Sequence, residues 1–159
     1  MLLAVLTISD HCFKGLTADT TGPSVAKLAA QQWPHAEIRA RILPSDEEII
    51  AATLIDLHEQ GAALIITAGG TGLKPHDRTP EATRRVIDRE APGLAEAMRA
   101  VGAPTNPYAW LSRAVVGLRG STIIVNLPGS QRGAEDGLSS LLPLLGRALE
   151  VTTSNQKRV

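Results

Sequence analysis

The chain has 159 residues, of which 43% are apolar and 20% charged, a composition that suits one globular domain with a full core. Its 16 basic and 16 acidic side chains cancel, so it lacks the electrostatic footprint of a nucleic-acid binder. The single cysteine, Cys12, excludes an internal disulfide and any multi-cysteine metal site, and no apolar run approaches the roughly 20 residues that span a bilayer.

Leu2 to Ser9 is apolar without alternation and predicts a strand covered on both faces. Its start lacks the basic residues and small-residue cleavage site of a signal peptide, and the expected setting is cytoplasmic. Residues 10–22 read as a polar loop, followed by a helix with Ser24 at its start and Pro34 beyond its end. Residues 36–43 alternate, with Ile38, Ala40 and Ile42 on one face, which predicts a half-buried strand near a sheet edge. Ser45 or Asp46 caps the next helix, whose apolar stripe is Ile49, Ile50, Thr53, Leu54 and Leu57, and Gly61 ends it.

Ala62 to Thr67 is a short buried strand that runs straight into a glycine loop. Thr79 is expected to cap a helix beginning at Pro80, and Ala91 to Val101 is helical again. Val115–Leu118 and Thr122–Val125 flank Arg119-Gly120-Ser121 as a tight hairpin. A last helix runs from about Gln131 to Glu150, with Pro143 inside it and a frayed tail after Val151. Trp33 and Trp110 are read as packing residues. The order of elements predicts an α/β fold, a three-layer α/β/α sandwich with a mostly parallel sheet and one antiparallel strand pair. Ligands of such sheets bind beyond the carboxyl ends of the strands, where the loops at 9–22, 67–80 and 126–133 gather.

Three glycines within Gly69-Gly70-Thr71-Gly72 remove Cβ atoms where a ligand meets backbone, and exposed N–H groups in such a turn form an anion nest. A ligand-free turn fits the same residues. A valine at Gly70 is expected to fill the nest and leave the fold intact. Asp77 beside a phosphate nest is repulsive unless it holds a metal, which points to Mg²⁺ bridged to phosphate oxygens, although a solvated loop aspartate fits as well. Lys74, Arg78 and Arg84 can add positive charge, and His76 neighbours the loop. Asn126-Leu127-Pro128-Gly129-Ser130 opens the last helix and offers a second anion site, with Ser130 equally an ordinary N-cap. The four histidines show no metal spacing.

Taken together, Leu6-Thr7-Ile8-Ser9-Asp10, Leu64 to Gly72, Asp77 to Thr83, Arg89 to Gly93, Leu111-Ser112-Arg113 and Ile124 to Ser130 resemble the molybdopterin adenylyltransferase family. Its members are the MogA/MoaB-like proteins and the Cnx and gephyrin G domains. The resemblance implies one molybdenum cofactor biosynthesis domain over residues 1–159, commonly assembled as a homotrimer. It implies Mg²⁺ and ATP-dependent transfer of AMP to the phosphate of molybdopterin, with release of pyrophosphate. A molybdenum-insertion protein of the MoeA type is an expected partner; nucleic acid and membrane are not. The residues it carries over are Gly69, Gly70, Thr71, Gly72 and Asp77, then Asn126, Pro128, Gly129 and Ser130. Ser9, Asp10, Asp19 and Gly22 match the family's nucleotide-side loop.

One position departs from the pattern. Before the second helix the family often has Pro-Asp-Glu or Pro-Asp-Asp, and its first Asp is functionally important; here the run is Pro44-Ser45-Asp46-Glu47. Ser45 takes the aspartate's place and Asp46 is the candidate to compensate, the alternative being that Asp46 caps the helix. The departure keeps open a non-catalytic pterin-binding or scaffold module of the MoaB type. The same fold in competence-damage-inducible-type proteins adds a third reading, a different nucleotide-processing enzyme.

Overall fold

In the computed structural model, which describes residues 1–154, strand β1 (Leu2–Ile8) is buried on both faces because both are apolar. Leu3 and Val5 point into one core, and Ala4, Leu6 and Ile8 into the other. The chain continues through a one-turn helix α1 (Asp10–Phe13), α2 (Thr21–Gln32), β2 (Glu37–Leu43), α3 (Glu47–Glu59), β3 (Ala62–Ala68), α4 (Thr79–Val86) and β4 (Arg89–Glu90). Then come α5 (Pro92–Gly102), a 3-10 turn (Pro107–Leu111), β5 (Val116–Arg119), β6 (Thr122–Leu127) and α6 (Gln131–Ser154).

The strands form one sheet in the order β2-β1-β3-β6-β5-β4. The first four are mutually parallel, and the β5–β6 hairpin is antiparallel, as the sequence predicts. The two-residue β4, which the sequence does not announce, pairs antiparallel with β5 at the far edge. Helices α2, α5 and α6 cover one face of the sheet and α3 and α4 the other, which gives the three layers. Among the described residues no helix is long and apolar enough to cross a membrane.

Several local expectations give way to tertiary context. Residues 10–13 coil into helix instead of loop, because the Ser9 side chain accepts the Cys12 N–H at 3.2 Å. Helix α2 starts at Thr21, three residues before Ser24. Asp19 accepts the Gly22 N–H at 2.9 Å and the Thr7 hydroxyl at 2.7 Å, which fixes that entry. In β2 the predicted alternation fails at Ala40 and Ile42, which are exposed; the strand lies at the sheet margin, with a strand neighbour on one side alone among the described residues. Trp33 packs against the core as expected, whereas Trp110 is 59% exposed. Helix α6 passes through Pro143 and reaches Ser154, so residues 152–154 are helical where fraying is expected; the rest of the expected tail, 155–159, lies outside the described residues.

Because β1, β3 and β6 are parallel, Ile8, Ala68 and Leu127 end on one side of the sheet, and the loops that follow them meet there. The Gly69 N–H donates to Leu127 O at 3.1 Å. Gly69 has φ +112°, and a Cβ there would lie 2.3 Å from Ile8 O. Gly70 has φ +66°, and its Cβ would lie 2.3 Å from the Thr79 hydroxyl. That hydroxyl is buried and donates to Gly69 O at 2.8 Å, while the Thr79 N–H donates to Gly70 O at 3.1 Å. Thr79 is therefore not the expected helix cap: it sits inside the first turn of α4 and clasps the glycine loop. Directly beneath lies Asn126, wholly buried. Its amide donates to the Thr67 and Thr83 hydroxyls at 3.0 and 2.9 Å, and its Oδ1 accepts the Val115 N–H at 3.1 Å.

Two outcomes follow from this packing. A side chain at Gly70 collides with Thr79 instead of filling a ligand nest, so Gly70→Val is expected to destabilise the fold by about 1–3 kcal/mol. A Tm equal to that of the native chain would refute this. Asn126→Ala strands a buried N–H and is expected to lower the unfolding free energy by about 1–3 kcal/mol. Urea unfolding with an unchanged midpoint would show that the network adds no net stability.

Candidate functional site

A cavity of about 850 Å³ opens beside the two glycine loops. Gly70 to Lys74 and Asp77 border it on one side, and Pro128, Gly129 and Ser130 on the adjoining side. The loops abut so closely that a Cβ on Gly129 would lie 3.3 Å from Gly69 Cα. The N–H groups of Gly70, Thr71, Gly72 and Leu73 have no protein acceptor among the described residues. Thr71 is 5% exposed, so bulk water satisfies its N–H poorly. A run of unpaired N–H groups at a cavity wall is an anion-binding arrangement.

The second loop adds a helix start. The Ser130 hydroxyl accepts the Gly133 N–H at 3.2 Å and so caps α6 while also bordering the cavity. Gly129 O accepts the Thr21 hydroxyl at 3.2 Å, which ties this loop to α2. Asp77 stands in the cavity wall with Oδ2 accepting the Lys74 N–H at 3.0 Å; its Oδ1 has no protein partner among the described residues. Lys74, Arg99 and Arg132 supply positive charge at the wall and Asp136 a second carboxylate, 3.7 Å from Arg132. Among the described residues no three histidine, cysteine or acidic side chains gather as a metal cluster.

The remaining sequence candidates stand elsewhere. Gly69 and Asn126 lie behind the cavity as structural supports. Ser9, Asp10, Asp19 and Gly22 surround the end of β1 and do not border it. Asp10 accepts the Ser45 N–H at 2.8 Å, and a Cβ on Gly22 would lie 2.3 Å from the Thr7 hydroxyl. Asp46 caps α3 by accepting the Ile49 N–H at 3.0 Å, and neither it nor Ser45 borders the cavity. Arg78 is drawn away to Glu47 at 2.6 Å; that hydrogen bond, together with Arg85, holds the Glu47 carboxyl below its ordinary range despite the opposing effect of burial. Arg84 approaches Glu90 at 3.9 Å, and His76 does not border the cavity.

Sequence reasoning missed the opposite wall. Met98, Tyr108, Ala109 and Leu111 make it largely apolar, and Gly102, Gly133 and Gly137 let its parts pack closely, since a Cβ on them would lie 3.2 Å from Ala109, 2.7 Å from the Ser130 hydroxyl and 3.0 Å from the Met98 sulfur. It is built where α5, the 3-10 turn and α6 converge, a meeting that periodicity along the chain does not encode. Also missed was the role of Arg113, although Arg113 itself belongs to one of the stretches that carry the resemblance. Its N–H donates to Thr71 O at 2.8 Å, Nε to Gly72 O at 2.7 Å and Nη2 to Asp77 O at 2.6 Å, and Nη1 pairs with Glu81. Burial raises the Glu81 pKa, but the Arg113 hydrogen bond, a backbone hydrogen bond and the charges of Arg113 and Arg78 together outweigh it and hold the carboxyl below its ordinary range.

Known proteins share this arrangement of strands and loops. Residues 4–147 match the family model described as a probable molybdopterin binding domain. The molybdopterin adenylyltransferase of Helicobacter pylori J99 is 30% identical over 99% of this chain and 90% of its own length. The crystal structure of the molybdopterin biosynthesis enzyme MoaB from Thermus thermophilus is 44% identical, covers 96% of each chain and superposes with a TM-score of 0.88. A MogA structure is 37% identical over 96% of this chain and 99% of its own, with a TM-score of 0.91. Other curated relatives are longer: the chain spans 25% of the Drosophila melanogaster molybdenum cofactor synthesis protein cinnamon, 23% of Dictyostelium discoideum gephyrin and 46% of a Synechococcus elongatus bifunctional protein. On the match across residues 4–147 and these likenesses, the chain belongs to the probable molybdopterin-binding domain family that includes MoaB and MogA.

Proposed function

We propose that this chain transfers AMP from ATP to the terminal phosphate of molybdopterin, with pyrophosphate as the leaving group. The observation that carries this reading is the row of N–H groups from Gly70 to Leu73, unpaired among the described residues and set at the wall of a large cavity. The reaction joins two polyanions. The pterin phosphate is largely dianionic at neutral pH, since the second ionisation of a phosphate monoester falls near 6, so the nucleophile needs no general base. What the chain must supply is alignment and neutralisation of charge. Backbone N–H groups of both loops, with Lys74, Arg99 and Arg132, are the donors for phosphate oxygens. The apolar wall of Met98, Tyr108 and Leu111 suits the flat body of a pterin.

Mg²⁺ fits the donor set. Asp77 offers one unpartnered carboxylate oxygen beside the proposed phosphate donors, and Mg²⁺ is usually held by one or two carboxylates with substrate phosphates and water. Held at Asp77, Mg²⁺ supplies neutralisation of phosphate charge. A pterin-binding module without transfer is the second reading; it is favoured by the engagement of Asp46 as a helix cap and by the absence of Ser45 and Asp46 from the cavity wall. The family resemblance also supports a homotrimer, a molybdenum-insertion partner and a cytoplasmic setting. Val101 and Trp110, each more than half exposed and outside the cavity wall, give copies of the chain an apolar surface to share.

Pyrophosphate release from ATP and molybdopterin tests transfer, and its absence in a protein that binds pterin would leave the binding module. Asp77→Asn keeps the side-chain shape and removes its charge, so it is expected to lower turnover more than pterin affinity. An unaltered rate at saturating Mg²⁺ would overturn the role of Asp77. Asp46→Ser, scored in the same assay, is expected to keep the rate and cost less than about 1 kcal/mol of stability, since Ser caps nearly as well as Asp. A sharp fall in rate at an unchanged Tm would instead assign Asp46 to the metal. Sedimentation is expected to give a mass of three 16.8 kDa protomers, and a lone 16.8 kDa species at micromolar concentration would reject the trimer.

A further inference from the structure

Arg113 lies outside both glycine loops, yet four of its donors converge on the first loop and on the helix that follows it. Its N–H and guanidinium together take the carbonyls of Thr71, Gly72 and Asp77. The remaining arm pairs with Glu81 of α4, whose other oxygen, Oε2, is buried without a partner among the described residues. The planar guanidinium suits this task because its donors are fixed in a fork, which a single ammonium cannot imitate.

The consequence lies in peptide geometry. A trans peptide unit is planar, and its carbonyl and the following N–H point in opposite directions. Holding the oxygens of Thr71 and Gly72 on Arg113 therefore turns the N–H groups of Gly72 and Leu73 to the other side, and these are two of the unpaired donors. The loop cannot keep that shape unaided, because its glycines give the backbone wide conformational freedom. We propose that Arg113 is the positioning residue of the phosphate loop: it gathers the carbonyls behind the loop so that the donors stand in front. This rests on the reading of residues 70–73 as phosphate donors.

The test uses the full chain, with inorganic pyrophosphate as the probe in calorimetry and hydrogen exchange over residues 70–78. Arg113→Gln is expected to lower pyrophosphate affinity at least about tenfold and to speed exchange over 70–78, with β1 and β3 still protected. Arg113→Lys keeps the charge and is expected not to restore affinity. Glu81→Gln still offers Arg113 an acceptor oxygen and is expected to bind like the native chain. Native affinity in folded Arg113→Gln or Arg113→Lys overturns the proposal and leaves Arg113 a structural residue whose loss moves the unfolding midpoint alone. If Arg113→Gln fails to fold, Arg113→Lys decides. Should the native chain itself bind no pyrophosphate, the phosphate reading falls, and exchange over 70–78 still decides whether Arg113 holds the loop.

Discussion

A single buried amide, that of Asn126, joins the parts on which the cavity depends. It reaches β3 through Thr67, α4 through Thr83 and the approach to β5 through Val115. None of these partners neighbours it in sequence, and all are shielded from water, so the network fixes one relative placement and penalises others. From that point the chain departs in two directions. Upward, β3 and β6 release their glycine loops side by side. Sideways, the segment before Val115 carries Arg113 back onto the first loop. Thr79 completes the arrangement by joining the start of α4 to Gly69 and Gly70. The site is thus assembled from loops, but the precision comes from buried polar contacts one layer below.

The neutral charge of the chain fits this design. A cavity meant for phosphates is often lined with lysine and arginine, yet here two carboxylates face three cations across its wall. Backbone dipoles add fixed positive potential to such a wall, and they do so without drawing non-specific polyanions to the rest of the surface. The apolar wall opposite belongs to a different part of the chain, where α5, the 3-10 turn and α6 meet.

Much of this was legible in the sequence. The unalternating strands β1 and β3, the hairpin around Gly120, the glycine loop and the second loop before α6 all follow from local pattern, and they suffice for the fold. What was not legible depends on distant contacts. Thr79 reads as an N-cap because threonine before proline usually is one, and only the nearness of Gly69 shows why it is buried. Asn126 sits in a stretch that looks like a ligand loop, yet its side chain points into the core. The exposure of Ile42 and Ala40 reflects a sheet margin that alternation alone cannot place. Tyr108 and Met98 join the cavity through helix packing, for which the chain carries no short motif.

The unpaired N–H groups of the first loop also have a consequence for the empty protein. A shielded donor without an acceptor carries a solvation deficit of about 1–3 kcal/mol, and Thr71 is nearly inaccessible. Any tetrahedral oxyanion that reaches the loop relieves part of that deficit. Sulfate and inorganic phosphate in a buffer would then raise the melting point while competing with substrate for the same donors. The choice of buffer salt would make the protein look sturdier and less active at once, with no change in its fold.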